Sequence, residues 1–346
     1  MASSEWEVLL TRPTDELIAA DLMHDAYRGC INLGPDGRDI EAGSSPSMTA
    51  AQLQEMQFDE LQYVIPGYVA EGATLLAGKP KLGKSWLVLD WCISVAIGGY
   101  AMGSQKCKQG DVLYAALEDN ARRLQRRMKQ VIPAGDTWPE RLTLTTTMKR
   151  TDDGGLAAIR DWARSCSNPR LVVIDTLAKV RPPAKNKDNP YEADYRAVSP
   201  FLALAAELQL AIIIVHHTRK QDADDPLDMV SGTTGLTGGV DAVMVLTRDG
   251  QGTILTGRGR DIEDIESAVK LDTSGRWSLL GDADEVRRSR ERKLILEAMK
   301  ELGEAGPKDV AEATEMKADN VKYLMRKMVQ QNELEKLEHG RYRLPQ

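Results

Sequence analysis

The chain has 346 residues, 42% hydrophobic and 28% charged, with a formal net charge of −7. Such a length holds about two domains of roughly 100–200 residues, no apolar run reaches the roughly 18 residues of a membrane span, and the acidic start MASSEWE lacks the order of a secretory signal, so a cytoplasmic location without membrane contact is expected. Four scattered cysteines, Cys30, Cys92, Cys107 and Cys166, form no Cys-x-x-Cys pair, which argues against a zinc centre or a disulfide scaffold.

Residues 1–60 are a polar lead with three basic and twelve acidic side chains. Pro35-Asp36-Gly37 and Gly43-Ser44-Ser45-Pro46 read as turns, and short helices are predicted over residues 16–27 and 49–58. From Ala73 the pattern changes. ATLLAG (73–78) is a buried strand, and SWLVLDWCISVAIGG (85–99) has the length of a helix and ends in two glycines. DVLYAAL (111–117) is the next buried strand, followed by the basic helix NARRLQRRMKQVI. RLTLTTT (141–147) is a strand, GLAAIRDWARSC (155–166) a helix, and LVVIDTL (171–177) a strand of the sheet centre. YEADYRAVSPFLALAAELQ (191–209) is a helix that Pro200 is expected to kink or split, and AIIIVHH (211–217) is another central strand.

Continuous apolar strands alternating with helices predict an α/β fold with a mostly parallel sheet covered on both faces. AVMVLTR, GTILTGR and ESAVKLD (242–248, 252–258 and 266–272) follow with short turns and predict an antiparallel extension of that sheet. Residues 284–346 then read as a separate small domain. Helices are predicted over 293–302, 307–314 and 318–331, and a hairpin over 333–344, which is the pattern of a winged helix. Residues 286–346 carry fourteen basic and eleven acidic side chains, a basic end on an acidic chain.

The chemistry starts at Gly78-Lys79-Pro80-Lys81-Leu82-Gly83-Lys84-Ser85, which fits G-x-x-x-x-G-K-[ST] between a strand and a helix. Its glycines let backbone N–H groups face phosphates, and the helix N-terminus adds partial positive charge. Lys84 is expected to reach the β- and γ-phosphates of ATP and Ser85 to hold Mg2+, with Trp86 the last residue of the nucleotide-binding segment. Asp175 stands at the end of LVVIDTL, where ligands of parallel α/β sheets bind, and is read as the aspartate that binds Mg2+. Thr176 follows it, so the catalytic base must come from elsewhere. Glu118, at the end of DVLYAALE, is placed to take that role if its strand lies beside the P-loop strand. Asp119 competes for it, and either acid could instead serve the helix N-terminus. His216 and His217 end a central strand and are candidates for sensing the γ-phosphate. Arg258 and Arg260 flank Gly259, either as an arginine finger toward a neighbouring subunit's ATP or in local salt bridges to Asp261 or Asp264.

The ordered set GKPKLGKS, YAALED with RRLQRR, LVVIDTLAKVRP, VHHTRK, SGTTGLTGGVDAVMVL and GRGRDIED resembles the RecA-like ATPases of the RepA type, relatives of the DnaB class of plasmid and phage replicative helicases. The resemblance covers residues 63–280 and makes residues 61–283 a RecA-like P-loop ATPase domain. It implies a homo-oligomeric ring, often a hexamer, with ATP sites between subunits and single-stranded DNA in the channel. It also implies Lys84 and Ser85 on phosphate and magnesium, Glu118 as base, Asp175 on magnesium, His216 or His217 as sensor, and Arg258 or Arg260 as finger.

One departure concerns DNA. The loop after His217 carries Arg219 and Lys220, but Asp222, Asp224, Asp225 and Asp228 follow, whereas a groove for a phosphate backbone favours basic and aromatic side chains. The glycines from Gly232 to Gly239 suggest a mobile segment. In the C-terminal domain Lys322, Tyr323, Arg326 and Lys327 lie on the candidate recognition helix, with Arg341 on the wing. Val321, Leu324, Met325 and Met328 form its core side. Duplex DNA is one partner for that domain, and packing of subunits against one another is the alternative.

Overall fold

The computed structural model describes residues 49–55, 60–183, 189–218, 225–230 and 234–345. The helix expected over 16–27, together with Arg219, Lys220, Asp222, Asp224 and Gly232, lies outside the described residues. The chain divides between Leu279 and Leu280 into two compact units.

The first unit opens with a short helix, Ala50–Glu55, and a two-stranded ribbon, β1 (Tyr63–Ile65) and β2 (Val69–Ala70). The following strands are β3 (Gly72–Gly78), the small pair β4 (Tyr100–Ala101) and β5 (Gln105–Lys106), β6 (Asp111–Ala116), β7 (Leu142–Thr145), β8 (Pro169–Asp175) and β9 (Ala211–Val215). The last four are β10 (Ala242–Asp249), β11 (Gly252–Gly259), β12 (Ile265–Leu271) and β13 (Trp277–Asp282), within which the division between the units falls. Nine of them form one sheet in the order β13-β12-β11-β10-β3-β9-β8-β6-β7. From β10 to β7 every neighbouring pair is parallel, while β10–β11 and β11–β12 are antiparallel. The expected mostly parallel sheet with an antiparallel extension is therefore present, one strand longer than the sequence pattern suggests.

The sheet buries both faces because its central strands are apolar along most of their length. The period of two sends Val112, Tyr114, Leu171, Val173, Ile213 and Val215 to one face, beneath the helices Lys84–Ile97 and Ala121–Val131. Leu113, Val172, Ile174, Ile212 and Ile214 go to the other, beneath the helices Gly155–Ser165 and Pro190–Leu208. The helix Lys84–Ile97 is buried on nearly all sides, which its apolar sequence requires. The helix Ala121–Val131 instead fully buries only Leu124, Met128 and Val131 and turns Arg122, Arg123 and Arg126 outward.

Pro200 does not split its helix, which runs from Pro190 to Leu208. An interior proline costs about 3 kcal/mol or more. Each large apolar side chain fully buried returns about 1.5–3 kcal/mol, and Val198, Phe201, Leu202 and Leu204 are all buried on either side of it. Packing outweighs the local break. The glycines after residue 234 have a similar explanation. A Cβ on Gly235 would collide with the carbonyl of Tyr191, and one on Gly239 would stand 2.6 Å from Val198 Cγ2. These two glycines let a short helix, Gly235–Gly238, approach the proline-containing helix closely.

The second unit holds the helices Ala283–Leu302, Pro307–Thr314 and Ala318–Gln330, and a ribbon of β14 (Glu335–Lys336) and β15 (Tyr342–Arg343). The first helix starts ten residues before the predicted one, because the Asp282 side chain accepts the Glu285 N–H and caps it. Ile295, Met299, Val310, Val321, Leu324, Met325, Met328 and Tyr342 share one small core.

Candidate functional site

The P-loop turns because two of its glycines have no room for a side chain. Gly78 has φ 157° and Gly83 has φ 101°. A Cβ on Gly78 would stand 2.6 Å from the Leu246 carbonyl oxygen of β10, and one on Gly83 would stand 2.8 Å from the Trp277 ring. Gly83 also caps the helix Lys84–Ile97 with no side-chain hydrogen bond, so the first N–H groups of a 14-residue helix have no side-chain acceptor from the cap. Lys81 sits at φ 66° on the exposed rim with Lys79 and Pro80, and Leu82 packs onto the core. The ring of Trp86 packs against Gly275 and under the guanidinium of Arg127, 5.2 Å from its centroid, so this side chain is committed to packing.

Lys84 is only 4% exposed. Its Nζ donates to the carbonyls of Gly78 (2.6 Å) and Lys79 (3.1 Å) and lies 3.2 Å from His217 Nδ1. Burial pulls the ammonium down from 10.5 to about 8, and the carboxylates of Asp175 and Glu118 oppose that shift. Asp175 is equally buried and hydrogen-bonds with Ser85 and, through Oδ2, with the Tyr114 hydroxyl at 3.1 Å. Its pKa is raised, by burial above all, with both hydrogen bonds acting against the rise.

Glu118 arrives by a different route from the one expected. Its strand, β6, does not adjoin the P-loop strand, since β9 and β8 lie between β6 and β3. Strand order is fixed by the crossover connections, and these put the two residues at the same end of the sheet two strands further apart. The ladder between β6 and β8 continues one residue past β6, from the Leu117 N–H to the Asp175 carbonyl at 2.7 Å, and so delivers Glu118 beside Thr176. The Thr176 hydroxyl donates to Glu118 Oε1 at 3.3 Å, and Glu118 Oε2 lies 3.6 Å from His217 Nε2. Asp119 is held instead by Arg123 at 2.9 Å and Arg127 at 2.5 Å, which leaves Glu118 as the carboxylate facing Lys84 and His217.

The two histidines separate by the strand period. The His216 N–H continues the ladder to the Leu76 carbonyl. Its ring is pushed down to about 4, first by burial and then by His217, with Asp194 opposing. His217 points to the opposite side, between Lys84 and Glu118. With Lys84 donating, Nδ1 is the acceptor and the Nε2–H faces Glu118. Arg258 pairs with Asp225 at 2.5 Å and Asp264 at 3.5 Å, and Arg260 with Asp241 at 3.4 Å, so of the two local partners expected Asp264 is used, by Arg258.

The residues fit a nucleotide with a hard divalent cation. Ser85 and Asp175 offer a hydroxyl and a carboxylate already in contact, an oxygen donor set suited to Mg2+. Tyr114 and Thr176 join the site without a signal in the sequence pattern. A tyrosine within an apolar run reads as core, and only the register of β6 on β8 reveals its partner.

In the second unit Lys322, Tyr323 and Arg326 are exposed on the last helix, with the Lys327 ammonium 4.8 Å from the Tyr323 ring centroid. Arg341 is exposed and donates to the Glu304 carbonyl.

Two solved structures share this architecture at low identity. One, an isolated ATPase domain, is 16% identical with a TM-score of 0.50, over 61% of this chain and 85% of its own. The other, a DnaB-like replicative helicase solved with attention to its interactions with primase, is 15% identical with a TM-score of 0.51, over 66% of each chain. These likenesses show the fold alone. No curated protein matches the chain. Residues 42–223, 182 of the 346, match the family model described as AAA domain, and the chain belongs to that family.

Proposed function

We propose that this chain is an ATP-hydrolysing DNA motor or replicative helicase of RepA type, acting in the cytoplasm on a plasmid, phage or other mobile element. One observation carries the reading: Lys84, Ser85, Asp175, Thr176, Glu118 and His217 form one connected cluster at the C-terminal end of the parallel strands. Thr176 holds Glu118 by a hydrogen bond, and each of the others has a task in the reaction. The N–H groups between Gly78 and Ser85 receive phosphate oxygens, and Lys84 exchanges two carbonyls and a ring nitrogen for the β- and γ-phosphates. Ser85 and Asp175 would hold Mg2+, which when bound neutralises phosphate charge. Glu118 takes the proton of the attacking water. His217 touches both Lys84 and Glu118, so a change at the phosphate end reaches the segment that follows it.

The wider assignments complete the proposal. The subunits form a ring, with a hexamer favoured, and Arg258 or Arg260 crosses to the neighbour's ATP. Single-stranded DNA runs through the ring past Arg219 and Lys220. Residues 284–346 act as a winged helix on duplex DNA through Lys322, Tyr323, Arg326, Lys327 and Arg341. A second reading, a non-unwinding ATPase switch such as an initiator, loader or recombination mediator, is favoured by the acids of the segment after Thr218, where Asp225 holds Arg258.

The test is ATP turnover with and without single-stranded DNA, across protein concentrations that span assembly and at fixed salt. A motor is stimulated by single strands, increasingly so with assembly. Turnover indifferent to single strands, together with binding of duplex, would move the assignment to the switch. Glu118→Gln is expected to lower turnover about 100-fold or more while nucleotide binding persists, and normal turnover in that variant would remove Glu118 as the base.

A further inference from the structure

We propose that Tyr114 is a positioning residue for magnesium: its phenol hydroxyl orients the Asp175 carboxylate. The proposal rests on the reading of Asp175 given above. Tyr114 lies in the middle of β6 with its side chain fully buried beneath the helix Lys84–Ile97. A phenylalanine would fill the same apolar space, so the hydroxyl is what distinguishes the residue. A buried hydroxyl without an acceptor is unfavourable, and here the acceptor is Asp175 Oδ2, at 3.1 Å.

The strand register makes this contact. In the parallel pairing of β6 with β8, Tyr114 stands opposite Val173 and Ala116 opposite Asp175. The period of two puts 114, 173 and 175 on the same face. The phenol therefore reaches diagonally, toward the C-terminal end of the sheet, and meets the carboxylate from below. A residue with a shorter polar side chain at 114 would fall short, and a polar residue at 116 would stand in the site itself.

Ser85 and Tyr114 both hydrogen-bond the Asp175 side chain. Ser85 has a second duty, because its oxygen is the one that would turn to the metal. The Tyr114 hydroxyl has no such duty, so its hydrogen bond persists through the cycle and keeps the carboxylate in one orientation. Partners that orient metal-binding side chains typically change metal affinity by about 10–100-fold when removed.

The experiment compares the full-length wild type with Tyr114→Phe and Asp175→Asn. Binding of a fluorescent ADP analogue is titrated in EDTA and as a function of Mg2+ concentration, alongside turnover against Mg2+ and thermal unfolding. Tyr114→Phe is expected to raise the Mg2+ half-saturation of ADP binding about tenfold. Its affinity in EDTA should stay within about twofold of wild type, and its turnover should recover at high Mg2+. An unchanged Mg2+ half-saturation in Tyr114→Phe, beside a large shift in Asp175→Asn, overturns the proposal and leaves Tyr114 a core residue. Equal losses of affinity with and without Mg2+, or a marked fall in unfolding temperature, also overturn it, because they mark a packing defect. If Asp175→Asn itself leaves the Mg2+ dependence unchanged, the reading of Asp175 fails first and Tyr114 goes with it.

Discussion

Two charged regions of the first unit are built on opposite plans. At the P-loop, Lys84 and Asp175 are each 4% exposed, and their partners are backbone carbonyls and side chains of the same cluster. On the antiparallel side, Arg258 and Arg260 are each 52% exposed; Arg258 pairs with Asp225 and the exposed Asp264, and Arg260 with the more buried Asp241. Removing one partner of a buried charge is costly, whereas exposed pairs contribute about 0–1 kcal/mol. The first region is therefore pre-organised and intolerant, and the second is easily released. A side chain that must leave its own subunit for a neighbour's nucleotide needs the second kind of environment.

The comparison breaks most sharply at the arginines. If either is the finger, the double variant Arg258→Ala/Arg260→Ala should lose about a thousandfold in turnover of the assembled ring, with nucleotide binding by the single subunit unchanged. Sedimentation under assay conditions must first establish that the variant assembles. Normal turnover in an assembled ring would reduce both residues to surface pairing. Lys84→Ala is the counterpart at the buried end and is expected to lower turnover about 100- to 1000-fold. Its loss should be the same at every protein concentration, since the lysine serves the nucleotide of its own subunit. A concentration-dependent loss for Lys84→Ala, or a concentration-independent one for the arginines, would erase the distinction.

What is legible in the sequence follows the same division. The P-loop is eight contiguous residues, and LVVIDTL and AIIIVHH announce buried strands by composition, so those parts are readable from local pattern. Relations across the sheet are not. Whether the strand of Glu118 adjoins the P-loop strand is left open by local pattern; it stands two strands further off, because strand order depends on crossovers that no local pattern encodes. The pairing of His217 alone with Lys84 comes from the alternation of side chains past the end of β9, which two adjacent histidines do not reveal. Arg258 pairs with Asp225, 33 residues away, as well as with the nearby Asp264. Tyr114 and Trp277 look like core in the sequence, yet one holds Asp175 and the other lies against the position where Gly83 lacks a Cβ.

The smallest expected effect is also the most direct probe of the buried end. Lys84 titrates at about 8 in the folded chain, against 10.5 for an ordinary lysine, and burial is the main cause. Between those two values the unfolded chain binds more protons than the folded one, so stability rises with pH through this window and is lost again as pH falls through about 8. Phosphate reverses the balance by favouring the ammonium. Nucleotide binding above pH 8 must then take up a proton, and affinity should fall by up to about tenfold per pH unit as Lys84 deprotonates in the unliganded protein. His216, pushed down to about 4, does not titrate in this range. Calorimetry of ADP binding at pH 9 in two buffers of different ionisation enthalpy reads the proton directly. Uptake approaching one proton at pH 9 and vanishing at pH 7 would tie the P-loop lysine to the phosphates. No uptake at pH 9 would mean that Lys84 stays charged in the unliganded site, and that its hydrogen bonds to Gly78 and Lys79 outweigh its burial.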